Sequence, residues 1–133
     1  MKTLLMIKPE IVQQGLIGEI LTITQRNRFA ITRMQMVRFD RAKAEQFYEV
    51  HKQREFYPAL IEYITSGPVV AVELEGENAI ERLRMLIGNT DPSSAAPGTI
   101  RYIYGKSITI NAVHASDSPE SAKKELAIAF GDI

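Results

Sequence analysis

The chain of 133 residues has no cysteine. That excludes a disulfide framework and any thiol nucleophile. It also lacks net charge, since 16 basic residues meet 16 acidic ones. A balanced chain has no general electrostatic grip on nucleic acid, although a local basic pocket stays open as a reading. No apolar run reaches the length that crosses a bilayer. The start, Met1-Lys2-Thr3-Leu4-Leu5-Met6-Ile7-Lys8, has too short an apolar segment for a signal peptide and no small-residue cleavage site. A cytoplasmic protein with no membrane partner is therefore expected. Histidine is nearly missing too, with 2 residues in all.

What is present suffices for one domain over residues 1–133, since 45% of the chain is hydrophobic. Residues 3–7 are a continuous apolar run, the pattern of a buried central strand. Lys8-Pro9 ends it, so Lys8 projects from a strand end. Residues 11–15 read as a brief turn. A helix follows over 16–27, with Leu16, Ile17, Ile20, Leu21 and Ile23 on one face. Imperfect alternation predicts a strand over 29–39. Asp40 caps a helix over 41–51. A second helix over 56–66 has Pro58 near its first turn and Gly67 after its end. Residues 69–74 read as another buried strand, and Asn78 opens a helix over 79–87 closed by Gly88. The loop 89–98, rich in Pro, Ser and Ala, precedes a strand over 99–104. A β-favouring run, 107–113, then leads to His114, and a last helix spans 118–130.

This order is βαββαβ with a helical hairpin inserted between the second and third strands. It matches a ferredoxin-like α+β sandwich, a four-stranded antiparallel sheet with helices packed on one face. Fold alone implies no function.

Function starts from His114. The polar corner after it opens a helix, with Ser118 as N-cap and Pro119 at the first helical position. Such a corner offers free backbone N–H groups and the positive end of a helix dipole, a setting for an anion. A neutral imidazole there can serve as nucleophile, general base or metal ligand. The metal reading is weakest, because His51 has no ligand spacing with His114. Lys8, Arg84, Arg101 and Lys106 stand near element ends, Thr90 follows a helix C-terminus, and Asn111 lies just before His114. Each cation taken alone reads as a solvated charge. Together they suit a polyphosphate, although no Gly-Lys-Ser/Thr loop or other glycine-rich phosphate loop is present. Tyr48, Phe56 and Leu60 could form one apolar patch, for which ordinary core is the plainer reading.

Several segments then coincide with one family. They are Ile7-Lys8-Pro9, Thr65-Ser66-Gly67-Pro68-Val69-Val70 and Gly88-Asn89-Thr90-Asp91-Pro92. Pro97-Gly98-Thr99-Ile100-Arg101 and Asn111-Ala112-Val113-His114-Ala115-Ser116-Asp117-Ser118 complete the set. In order and spacing the chain resembles the nucleoside diphosphate kinases over essentially its whole length. The resemblance implies that His114 takes the γ-phosphate of a nucleoside triphosphate such as ATP as a pros-phosphohistidine. It then passes the phosphate to a nucleoside diphosphate, in a ping-pong reaction. It implies phosphate contacts from Lys8, Arg84, Thr90 and Arg101, and Asn111 near the ribose and phosphates. Phe56 would stack on the base with Leu60 lining that side, giving little base specificity. Tyr48 and Glu125 would orient the histidine, with Ser116 supporting Glu125. Mg²⁺ would come held by the nucleotide and water, with no protein metal ligand. A homo-oligomer is implied, a hexamer before a tetramer. The loop 89–98 gives a separate motive, since packing on a neighbouring subunit would explain its order.

The chain departs from that pattern at Ala115, where many relatives have Gly. It departs again at Tyr102-Ile103 in place of Gly-Asp, and at Glu55-Phe56-Tyr57-Pro58 in place of a Pro-Phe-Phe run. It also ends at Gly131-Asp132-Ile133, without the extension of many relatives. These changes touch affinity and subunit contacts rather than the chemistry. Two other readings compete. A nucleic-acid-binding module of the same fold would want strand aromatics, for which Tyr102 and Tyr104 are the only suggestive pair. A regulatory domain that binds small metabolites is the second. A phosphotransfer assay separates both from the kinase.

Overall fold

The computed structural model describes residues 1–131. Its elements are β1 (Lys2–Ile7), α1 (Pro9–Gln13), α2 (Ile17–Arg26), β2 (Ala30–Val37), α3 (Arg41–Phe47), α4 (Tyr57–Ile64), β3 (Val69–Glu75), α5 (Ala79–Ile87), α6 (Ile100–Tyr104), β4 (Val113–Ala115) and α7 (Pro119–Phe130). Short 3₁₀ turns at Glu49–His51 and Pro92–Ser94 complete the path.

The sheet order is β2-β3-β1-β4, and every pairing is antiparallel. This is the α+β ferredoxin-like arrangement expected from the order of elements. β1 is central, with five of its six residues buried. A strand with consecutive apolar residues, Leu4 to Ile7, needs cover on both faces, because its side chains alternate between them. Leu5 and Ile7 pack with Ile11, Ile20, Leu83, Ile87 and Ile100 under α1, α2, α5 and α6. Leu4 and Met6 pack on the other face with Ala44, Phe47, Ile61, Ile64, Leu126 and Ala129 from α3, α4 and α7. The expectation of helices on one face therefore holds only for the helices that follow β1 and β3. The inserted hairpin and the terminal helix fill the second face.

The strand expected over 99–104 is not a strand, and of the β-favouring run 107–113 only Val113 is. Residues 99–104 form α6, because the Thr99 hydroxyl caps it by accepting from the Tyr102 N–H, and Ile103 N–H bonds Thr99 O at 3.1 Å. β-Propensity in so short a stretch yields to the cap and to the burial that helical turning gives Arg101. The run 107–113 is closed on itself. Ile110 N–H donates to Ser107 Oγ at 3.0 Å, and Lys106 N–H to Ile110 O at 2.8 Å. Only Val113–Ala115 join β1, with Met6 opposite His114.

The hairpin helices are also shorter than predicted, since α3 ends at Phe47 and α4 begins at Tyr57. The loop after α5 finds its order within the chain. The Asp91 carboxylate accepts from Ser93 N–H at 3.0 Å, and Pro92 is buried. Its length is thus no argument for a neighbouring subunit.

Candidate active site

β4 sets the direction of His114. Val113 and Ala115 face the α2/α5 core, so His114, between them, points to the α7 side. Just before it, Ala112 has φ +78°, and Val113 N–H bonds Asn111 O at 3.0 Å across it. That three-residue turn is a strained conformation for a residue with a Cβ. It is held by Lys8 N–H donating to Ala112 O at 2.9 Å.

His114 Nε2 lies 2.7 Å from Glu125 Oε1, and Ser116 Oγ donates to that same oxygen at 2.7 Å. A carboxylate oxygen accepts, so Nε2 carries a proton, and in the neutral ring Nδ1 keeps its lone pair. The ring is wedged edge-on by Phe47, with centroids 5.1 Å apart, and by Tyr48 at 6.3 Å and 88°. The Tyr48 hydroxyl is buried without a hydrogen-bond partner. Burial, and then the Glu125 charge, push its titration above the ordinary tyrosine range, against Arg101, so it stays a donor. An orphaned buried hydroxyl beside a histidine marks a place where a polar ligand belongs.

The cations gather around β4. Lys8 caps α1 at the end of β1, is 4% exposed, and donates from Nζ to Asn111 Oδ1 at 2.8 Å. Burial, then the charge of Arg101, push Lys8 down to about 7, against the pull of Glu10. Arg101 sits on α6 and donates to Val113 O at 2.9 Å and Gly88 O at 3.1 Å. Its Nε is a buried orphan, and burial with the charge of Arg84 brings it to about 10. Arg84, on α5, donates to Ala115 O at 3.2 Å. Three cations whose charges oppose one another, two of them buried, are costly unless an anion joins them.

The other residues singled out from the sequence fall unevenly. Asn111 Nδ2 donates to Thr90 O and Ile108 O, both at 3.1 Å, so its amide links Lys8 to the loop at 90. Thr90 takes part through its carbonyl, and its side chain is exposed. Tyr48 and Leu60 belong to the core, whereas Phe56 is 45% exposed and packs on His51 with centroids 5.4 Å apart. The expected patch is thus split, with Phe56 as its free ring. Sequence reading missed Phe47, Glu10 and Tyr63. The Tyr63 hydroxyl donates to Glu10, and the Tyr63 ring lies 5.6 Å from Lys8 Nζ. The adjacency of Phe47 to Tyr48, and the nearness of Glu10 to Lys8, was the available signal. Among the described residues no group of three or more His, Cys, Asp or Glu could hold a metal ion.

This arrangement offers an imidazole whose Nε2 is held by a fixed partner, and positive charge anchored on the backbone at both neighbours of His114. That is equipment for moving a phosphoryl group. Comparison with known proteins agrees. The family described as nucleoside diphosphate kinase matches residues 1–133. The chain is 50% identical to a nucleoside diphosphate kinase of Staphylothermus marinus, over 98% of this chain and 93% of the relative. It superposes on the Aquifex aeolicus nucleoside diphosphate kinase with TM-score 0.93 and 45% identity, over 96% of this chain and 92% of the other. The halophilic enzyme of Halobacterium salinarum, solved with CDP, gives TM-score 0.93 at 38% identity, over 96% and 86%. By whole-length match and by fold alike, the chain belongs to the nucleoside diphosphate kinase family, a family of phosphotransferases.

Proposed function

We propose that this kinase works by a ping-pong reaction through His114, with ATP as donor and a nucleoside diphosphate as acceptor. The observation that carries the reading is the single oxygen of Glu125 shared by His114 Nε2 and Ser116 Oγ. It leaves Nδ1 as the attacking atom. Nδ1 forms a bond to the γ-phosphorus while the bond to the bridging oxygen breaks, and the diphosphate departs with that electron pair. A β-phosphate oxygen of the second nucleotide then attacks the phosphohistidine, and the lone pair returns to Nδ1. Glu125 stabilises the Nε2–H throughout, as the charge on the ring rises and falls.

Lys8, Arg84 and Arg101 face the phosphates, with the Thr90 loop beside them. The Tyr48 hydroxyl supplies a further donor. Asn111 holds Lys8 to the loop at 90. A direct bond from its amide to a ribose exchanges one of those partners. Phe56 provides a face for the base, and stacking on one exposed ring tolerates every base. Leu60 supports that side from the core.

Mg²⁺ belongs to the substrate in this reading. The acid nearest the histidine, Glu125, is engaged by two donors, so the ion enters on the β- and γ-phosphates with its waters. There it offsets phosphate charge.

We also infer one domain over 1–133, a cytoplasmic setting, and a homo-oligomer, a hexamer before a tetramer. Met34 and Met36, exposed on the edge strand β2, support association. No helix among the described residues is long and apolar enough to cross a membrane. Initial rates against both nucleotides test the mechanism. Parallel reciprocal plots are expected, and intersecting plots overturn the two-step reaction.

A further inference from the structure

Glu10 and Tyr63 have no part in the scheme above, yet both bear on Lys8. Glu10 lies on α1, and Tyr63 reaches it from α4, which packs on the other face of the sheet. The Tyr63 hydroxyl donates to one carboxylate oxygen of Glu10. The other, Oε2, is buried without a hydrogen-bond partner. The same Tyr63 ring lies 5.6 Å from Lys8 Nζ, within the range of a cation–π contact. A tie serving only to join two helices has no need of an unpartnered buried carboxylate oxygen, since an amide would do it more cheaply.

We propose that Glu10 and Tyr63 are a positioning pair for Lys8: the tyrosine fixes the carboxylate as counter-charge, and its ring holds the ammonium toward Asn111. The inference rests on the reading that Lys8 binds the phosphates. Every group that faces Lys8 fits it. Arg101, from α6, opposes the ammonium, whereas Glu10 favours it. Asn111 Oδ1 accepts from it at 2.8 Å. Glu10 itself faces Tyr63, Lys8, Lys106 and the backbone at Ala112, all of which favour its charged form against its burial. The pair thus stands opposite Arg101 and offsets part of the loss that burial imposes on the charged form of this amine before the nucleotide arrives.

Glu10→Gln retains an acceptor for Tyr63 and removes the charge. Tyr63→Phe retains the ring and frees the carboxylate. Titration of Lys8 in the free proteins, by NMR of labelled lysine, is read beside the pH profile of kcat/KM. In Glu10→Gln the Lys8 titration falls by about one pH unit, and kcat/KM at about pH 8.5 falls about tenfold while staying near normal at about pH 5.5. The kcat at saturating nucleotide changes far less, because bound phosphates hold the charge. Tyr63→Phe shifts both readouts the same way by a smaller amount. A Lys8 titration unmoved in both variants, even with a lower Tm, makes the pair a mere cross-link and overturns the inference. A moved titration with an unmoved pH profile overturns instead the assignment of Lys8 to the phosphates.

Discussion

His114 and Glu125 are joined through Nε2 and Oε1 at 2.7 Å, and the carboxylate sits well inside α7. Glu125→Gln can keep the geometry, but it replaces a charge that stabilises the ring N–H by a neutral amide. Phosphorylation of His114 in a single turnover slows by roughly one to two orders of magnitude. Nucleotide affinity, measured separately, stays nearly constant, because Glu125 faces the ring and not the phosphates. An unchanged rate contradicts the role.

Lys8, brought to about 7 by burial and by Arg101, is mostly uncharged at about pH 8.5 in the free protein. An incoming polyphosphate favours the ammonium, so binding takes up about one proton at that pH. At about pH 6 the lysine already holds its proton and the uptake disappears. Calorimetry in two buffers of different ionisation enthalpy reads the difference, and Lys8→Met abolishes it. Binding without uptake at the higher pH contradicts the account. Stability follows the same group. Between about 7 and 10.5 the unfolded chain binds more protons at this lysine than the folded one, so its contribution to stability rises with pH through that window and is lowest below 7.

Tyr48 carries a buried hydroxyl with no hydrogen-bond partner in the free protein. Tyr48→Phe therefore leaves Tm unchanged or raises it by about 2–4 °C. Transfer, in contrast, falls by about tenfold or more, since a donor to a charged phosphate oxygen is lost. Thermal melting and kcat decide together. A destabilised variant with full activity reverses both expectations.

Gly88 has φ +90°, and a Cβ there would stand 2.5 Å from Thr99 Oγ1. Its carbonyl also accepts from Arg101. Gly88→Ala loses about 2 kcal/mol of stability from strain and crowding. It weakens phosphate binding as well, through Arg101. Urea unfolding checks the first effect, and an unmoved midpoint refutes it.

How much of this was legible in sequence depends on the kind of signal. β1 and β3 were plain, because continuous apolar runs bounded by Pro and Gly have few other homes. α7 was plain from Ser118 and Pro119, and the Ser118 hydroxyl accepts from Ser121 N–H at 3.0 Å. The stretch 99–104 was misread because β-branched and aromatic residues hid a cap at Thr99. The stretch 107–113 was misread because a serine side chain competes with the sheet for the backbone. At the site, the grouping of His114, Ser116 and Glu125 followed from the resemblance, and the three side chains meet at one carboxylate oxygen. Glu10 lies two residues from Lys8 in sequence, but its partnership with Tyr63 was invisible because it crosses from α1 to α4, and no local pattern encodes so distant a contact.

The central claim is that phosphate passes through His114. Incubation with γ-labelled ATP and no acceptor, followed by quenching in base or in acid, tests it directly. The expected result is about one label per chain, stable to base, labile to acid, and lost with His114→Ala while nucleotide binding persists. Full phosphotransfer by His114→Ala, or label on another residue that turns over at the same rate, would contradict it.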